Sequence, residues 1–222
     1  MLSSNYSART QTLRALAIGA VAGLSLLAAS CSKGGGSTDT VTSDDMVLGK
    51  ADAPVTVVEY ASVACPICAV VNQNVMPEFK AKYVETGKVK LVYRPMLTGN
   101  PQVAAAGHML AKCVSQDKQF KVLDAIMRAQ RRMDEGGAPE QYVNARPVLI
   151  EIAKSAGLSE EQFNTCITDK KSLEKQNELN ETYGSGHGIT GTPTFFVNGK
   201  KMTLVKGDIT DFDAAIQPLL KK

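Results

Sequence analysis

Apolar positions along this chain repeat with two different periods, and the change from one to the other divides it. Residues 55–61 (V-T-V-V-E-Y-A) are almost continuously apolar, the signature of a strand covered on both faces. From Pro66 the spacing turns helical as far as about Glu85, with Pro77 marking a kink or break and Thr86-Gly87 the end. Residues 88–96 (K-V-K-L-V-Y-R-P-M) alternate as a second strand, which suggests a parallel crossover unit. Helical segments then follow one another over 101–115, 118–133, 147–156, 159–169 and 173–183, with no strand signal between them. Gly136-Gly137-Ala138-Pro139 makes one loop, Gly157 ends a helix, and Ser159-Glu160-Glu161-Gln162 has the form of a capping box. Strand character returns at Thr194-Phe195-Phe196-Val197, turns at Asn198-Gly199 and resumes over Met202-Thr203-Leu204-Val205, which predicts a β-hairpin. A last amphipathic helix over 208–220 would bury Phe212, Ala215, Ile216 and Leu219. The pattern therefore predicts an α/β domain interrupted by an all-helical block.

The N-terminus follows other rules. Arg9 and Arg14 precede a run of apolar and small residues over 15–29, too short to span a bilayer comfortably, so residues 1–30 read as a signal peptide. Residues 31–46, opening with Lys33-Gly34-Gly35-Gly36-Ser37-Thr38, read as a flexible linker. Export places the chain in the periplasm or cell envelope, where thiols meet an oxidising medium. Leu26-Leu27-Ala28-Ala29-Ser30-Cys31 resembles a bacterial lipobox, in which Cys31 becomes the lipidated first residue. Ala28 stands where a large aliphatic residue is usual, so ordinary cleavage near Ser30 is the other reading. Counting cysteines bears on this choice: there are five, and lipidating Cys31 leaves four, enough for two pairs.

Composition narrows the field. With 222 residues, 44% hydrophobic and 21% charged, the chain can build a sizeable core. Its formal charge of +3 falls to +1 once a leader bearing two arginines and no acid is removed, which argues against a nucleic-acid partner.

The chemistry concentrates at Cys65-Pro66-Ile67-Cys68. Placed between a strand and a helix, Cys65 would face the unpaired N–H groups and positive dipole end of the helix, which favour thiolate over thiol. Cys68, one turn on, faces the same side and can close a disulfide with it. A zinc site would need a second C-x-x-C or a pair of histidines, and His108 and His187 stand far apart, so neither metal nor other cofactor is expected.

With C-P-x-C opening the first helix, and Gly191-Thr192-Pro193-Thr194-Phe195-Phe196-Val197-Asn198-Gly199 about 125 residues later, the chain resembles the DsbA family of thiol–disulfide oxidoreductases over roughly 47–220. The resemblance implies a thioredoxin-like fold with an inserted all-helical subdomain: residues 47–99 and 184–222 as the thioredoxin-like domain, and 100–183 as the insertion. It implies a cis bond before Pro193, so that Thr192 and Pro193 hold a substrate strand beside Cys65, next to Pro66 and Ile67. Cys65 would be the nucleophile and Cys68 the resolving thiol. Glu59, a buried acid beneath Cys68, would carry its proton. Cys113 and Cys166 are either two buried free thiols or, as in some members of the family, a second disulfide. The family's namesake has histidine where Ile67 stands, so a higher Cys65 pKa and a less oxidising couple are expected here.

The function so implied is exchange of the Cys65–Cys68 disulfide with unfolded or reduced exported proteins, chiefly to introduce disulfides. A membrane partner similar to DsbB would reoxidise the pair. Disulfide isomerase or reductase of the same fold is the alternative, and a non-catalytic envelope chaperone is the alternative of another class. Isomerases of this fold generally carry a separate dimerisation domain, and only about fifteen residues separate Cys31 from the thioredoxin-like part, so a monomer is expected. Contact with the membrane would come only through a lipid on Cys31.

Overall fold

The computed structural model describes residues 40–138 and 141–221. The signal peptide, Cys31 and the first part of the linker lie outside the described residues. Two strands open the described chain, β1 (Met46–Leu48) and β2 (Val55–Ala61), followed by α1 (Pro66–Asn74), α2 (Met76–Phe79), a π-helical turn (Lys80–Val84) and β3 (Val89–Pro95). The helical block comprises α3 (Pro101–Cys113), α4 (Gln116–Arg128), α5 (Gln130–Met133), α6 (Ala145–Ser155), α7 (Glu160–Ile167) and α8 (Lys170–Glu181), with a π-helical turn at Thr182–Gly186. β4 (Thr194–Val197), β5 (Lys200–Met202) and α9 (Ile209–Leu220) complete the fold.

The strands form one sheet in the order β1-β3-β2-β4-β5. β2 runs parallel to β3 and antiparallel to β4, so the nearly continuous apolar run does become the central strand. Its alternation separates two faces. Val55, Val57 and Ala61 enter a core shared with α1, α4 and α9, while Val58 and Tyr60 pack with Val92, Phe196, Tyr183 and Ile189. This is the thioredoxin-like arrangement the resemblance implied, with an all-helical block inserted between β3 and β4. Cys113 at the end of α3 and Cys166 in α7 are disulfide-bonded, their Cα atoms 6.3 Å apart.

The helical stretch from Pro66 breaks where Pro77 suggested: α1 stops at Asn74 and α2 restarts at Met76, with Pro77, which has no N–H to donate, inside the first turn of α2. Two other expectations change. The second hairpin strand is Lys200–Met202 rather than 202–205. Asn198 and Gly199 both adopt positive φ (44° and 75°), making a two-residue turn that pairs Val197 directly with Lys200. Residues 40–46 are not a free linker. Asp45 forms a buried ion pair with Arg94 at 2.8 Å, Thr40 accepts a hydrogen bond from the same guanidinium, and Met46 opens β1 against Tyr93. A three-residue strand is too short to show a period.

Candidate active site

β2 ends at Ala61 and α1 begins at Pro66, so residues 62–65 must turn the chain between them. Pro66 suits the first helical position because its missing N–H would have had no partner there. Cys65 caps the helix with extended backbone (φ −92°, ψ 120°), and its Sγ accepts from the Cys68 N–H at 3.4 Å. A sulfur at a helix N-cap is where thiolate charge is stabilised. Both cysteines are free thiols, Cys65 7% exposed and Cys68 0%.

The cysteines titrate far apart. Cys65 is held down to about 6, first by a hydrogen bond from the Cys68 thiol and then, against the cost of burial, by the Thr192 side chain and the backbone N–H groups of Cys68 and Ile67. Burial drives Cys68 the other way, reinforced by the neighbouring Cys65. One sulfur of the pair therefore ionises first, and it is the less buried one. Ile67 is 60% exposed, and its side chain offers the thiolate neither hydrogen bond nor charge.

Facing this turn is the Thr192–Pro193 peptide bond, which is cis. The Cys65 thiol donates to the Thr192 carbonyl across 3.5 Å, and the Thr192 and Thr98 hydroxyls lie 2.6 Å apart. Two motifs separated by most of the chain thus meet at one sulfur.

Glu59 sits on β2 between Tyr93 of β3 and Phe195 of β4, 4% exposed. Burial pushes its carboxyl up to about 7, with Lys80 opposing and Asp124 adding to the rise. Lys80 and Asp124 are themselves ion-paired at 2.9 Å, and Asn72 donates to Asp124 at 2.7 Å. Tyr93, fully buried, feels Glu59, Cys68 and Cys65 together, so acid and thiols share one patch of core.

Sequence reasoning missed several side chains around this turn. His108 is a buried core histidine whose place beside this turn the sequence did not show, with Nε2 3.0 Å from the Tyr93 hydroxyl and 3.4 Å from the Val63 N–H. Burial lowers its pKa to about 3, so it is neutral. Gln130 donates to the carbonyls of Val63 (2.7 Å) and Cys65 (3.1 Å), and Tyr142 to that of Ala64 (2.9 Å). His187 instead anchors the segment before Thr192, its Nδ1 2.6 Å from the Tyr60 hydroxyl. Only the glycines signalled such closeness. A Cβ on Gly99 would lie 2.1 Å from the Ala64 oxygen, and one on Gly107 2.6 Å from Val63 Cγ2. A cavity of about 490 Å³ between α4 and α6 contains neither cysteine. Among the described residues no cluster of metal-ligating side chains forms, and no helix is long and apolar enough to cross a membrane.

Comparison with known proteins adds independent findings. The family model described as Thioredoxin matches residues 41–217. A Rickettsia bellii relative, assigned by name to the protein-disulfide oxidoreductases, is 32% identical over 162 residues, which are 73% of this chain and 60% of that protein. The chain thus spans less than two thirds of the length of that relative. Disulfide bond formation protein D of Bacillus subtilis is 27% identical over 177 residues, 79% of this chain and 76% of that protein. Among solved structures, Wolbachia pipientis alpha-DsbA1 superposes with a TM-score of 0.71 at 27% identity, covering 82% of this chain and 93% of that one.

Proposed function

The chain belongs to the thioredoxin family, and from that premise we propose that it is a protein thiol–disulfide oxidoreductase whose Cys65–Cys68 pair exchanges disulfides with exported proteins, chiefly introducing them. One observation carries the reading: the less buried sulfur of the pair caps a helix N-terminus, 3.4 Å from the Cys68 N–H, and faces a cis Thr192–Pro193 bond. Starting from the oxidised pair, a substrate thiolate attacks Cys65, the less buried sulfur. The Cys65–Cys68 bond breaks as the mixed disulfide forms, and Cys68 leaves with the electron pair. Cys68 then takes a proton because burial favours its neutral form, and Glu59, poised near 7, is the group to deliver it. A second substrate thiolate attacks the substrate sulfur of the mixed disulfide and expels Cys65 as thiolate. Two electrons have passed from substrate to protein, and the substrate holds a new disulfide. Thr192 and Pro193 present backbone for an extended substrate segment, with Pro66 and Ile67 as its apolar border.

The direction follows from which form of the pair is stabilised. Holding Cys65 near 6 stabilises the reduced form at neutral pH, which makes the disulfide an oxidant. The name of the Bacillus subtilis relative, disulfide bond formation protein D, supports this direction, while that of the Rickettsia bellii relative supports only the oxidoreductase class. A reoxidising membrane partner similar to DsbB completes the cycle, and the cell envelope is the compartment that suits it, whether or not Cys31 carries lipid. Ile67 favours a second reading, isomerase or reductase, because no charge beside Cys65 depresses its pKa further.

Equilibrating the Cys65–Cys68 pair against glutathione, together with trapping its redox state in cells, separates the two. An oxidase shows an oxidising potential and a largely oxidised pair in cells, whereas a pair found reduced at steady state replaces the first reading with the second. Loss of thiol exchange in Cys65→Ala is expected for both, and undiminished function in that variant would instead indicate a binding module.

A further inference from the structure

The turn that presents Cys65 belongs to no helix or sheet, so its backbone groups need partners from elsewhere. All of them from Val63 to Cys65 have one. Within the turn, Ser62 serves two: its Oγ accepts from Ala64 N–H at 3.2 Å and its carbonyl from Cys65 N–H at 3.2 Å. Most of the rest are met by the helical insertion. His108 of α3 accepts from Val63 N–H, Gln130 at the start of α5 donates to both the Val63 and Cys65 carbonyls, and Tyr142 donates to the Ala64 carbonyl. The Cys65 carbonyl also takes the first bond of α1, from Ala69 N–H at 3.1 Å. Gly107 of α3 closes over the Val63 side chain with no room for a Cβ.

We infer that the helical insertion sets the reactivity of Cys65 through Gln130, a positioning residue that clamps the peptide units on either side of the N-cap. This rests on the reading of Cys65 as the nucleophile. The cap geometry depends on Cys65 holding its extended backbone, which aims Sγ at the Cys68 N–H. Gln130 reaches the carbonyl of Cys65 and that of Val63 two residues earlier, so a single buried amide fixes both ends of the segment. Without it the Val63 carbonyl loses its donor and the turn can rotate, carrying Sγ away from the helix N-terminus. Only the thiolate gains from that N-terminus, so loosening the clamp weakens the reduced form and not the disulfide. The expected signs are a higher Cys65 pKa and a less oxidising pair. Tyr142 acts in the same sense on the middle carbonyl. The insertion thereby reaches the chemistry without touching the sulfur.

The test follows the pH dependence of Cys65 alkylation by iodoacetamide in the reduced full chain, read by mass spectrometry of its peptide, alongside equilibrium with glutathione. Gln130→Leu is expected to raise the alkylation midpoint by ~1 unit, and to shift the glutathione equilibrium about tenfold toward the disulfide. Tyr142→Phe, which removes one oxygen and no shape, moves both in the same direction by less. Val148→Ala loosens the insertion core while leaving the Gln130 and Tyr142 hydrogen-bonding groups in place, and moves neither. Unchanged midpoints in Gln130→Leu and Tyr142→Phe overturn the inference, and Tyr142→Phe decides alone where Gln130→Leu does not fold. If the low-pKa thiol maps elsewhere than Cys65, the functional reading falls and the inference with it. A low-pKa Cys65 that ignores both substitutions removes only the inference.

Discussion

Burial gives Glu59 a pH signature that an exposed glutamate would lack. Its carboxyl titrates near 7 in the folded chain because burial penalises the charged form, whereas an unfolded glutamate titrates near ~4.3. The folded state therefore binds this proton more tightly than the unfolded chain does. Stability from this group is present below the unfolded value and is lost as pH rises from there through about 7. Glu59→Gln, neutral throughout, should therefore be more stable than the parent by ~1–3 kcal/mol at about pH 8, and similar to it at about pH 4.5, in urea unfolding. An equal gain at both pH values would mean that Glu59 does not titrate between them. On the proposed role of Glu59 as proton carrier to Cys68, the same substitution should also slow disulfide exchange and flatten its pH profile around neutrality. Greater stability with slower exchange is the combination that separates a functional acid from a tolerated one.

At the level of elements, the junction of β2 and α1 is shaped from outside. α3 carries Gly107 in its interior, where alanine would favour the helix by about 1 kcal/mol. The tertiary contact reverses that preference, since an added Cβ would meet Val63 Cγ2 at 2.6 Å. Gly107→Ala is accordingly expected to lower stability by ~1–3 kcal/mol, as overpacking does, and to disturb the Cys65 turn through Val63. Calorimetry showing Gly107→Ala more stable than the parent would place helix propensity above packing here. Gly99 is under a harder constraint, because the atom in the way is the Ala64 backbone oxygen and its own φ is +77°. Both glycines allow close approach to the one segment whose geometry the chemistry depends on.

Across the molecule, one covalent bond ties the insertion together. Cys113 and Cys166, 53 residues apart, join α3 to α7. Closing a loop of that length constrains the unfolded chain, and losing it is expected to cost ~2–4 kcal/mol. The double substitution Cys113→Ser with Cys166→Ser should therefore lower the denaturant midpoint while leaving thiol exchange at Cys65 intact under folding conditions. An unchanged midpoint would show that the bond does not constrain the chain in solution. The two cysteine pairs are kept apart by structure: Cys113 and Cys166 are bonded within the insertion, while Cys65 and Cys68 stand where the insertion meets the sheet.

Much of this was legible along the chain because it depends on local order. The central strand follows from a continuous apolar run, the N-cap position of Cys65 from the strand-to-helix change at Pro66, and the hairpin turn from Asn198-Gly199. The pairing of Cys65-Pro66-Ile67-Cys68 with Thr192-Pro193 was legible only through resemblance, since nothing local brings residues 127 apart in sequence together, as the Cys65–Thr192 hydrogen bond does. Short or packing-dependent features escaped. β1 has three residues and no period, β5 takes its register from the turn, and residues 40–46 looked like linker because the partner of Asp45 lies on β3. Gln130, Tyr142 and His108 read as an ordinary amide, phenol and imidazole in a helical block. What the sequence determined by itself was which groups could react, because thiol chemistry and helix-end polarity are local properties. Tertiary structure decided how reactive they are, because burial, the cis Thr192–Pro193 bond and the hydrogen bonds that hold the Cys65 turn come from segments that meet only in the fold.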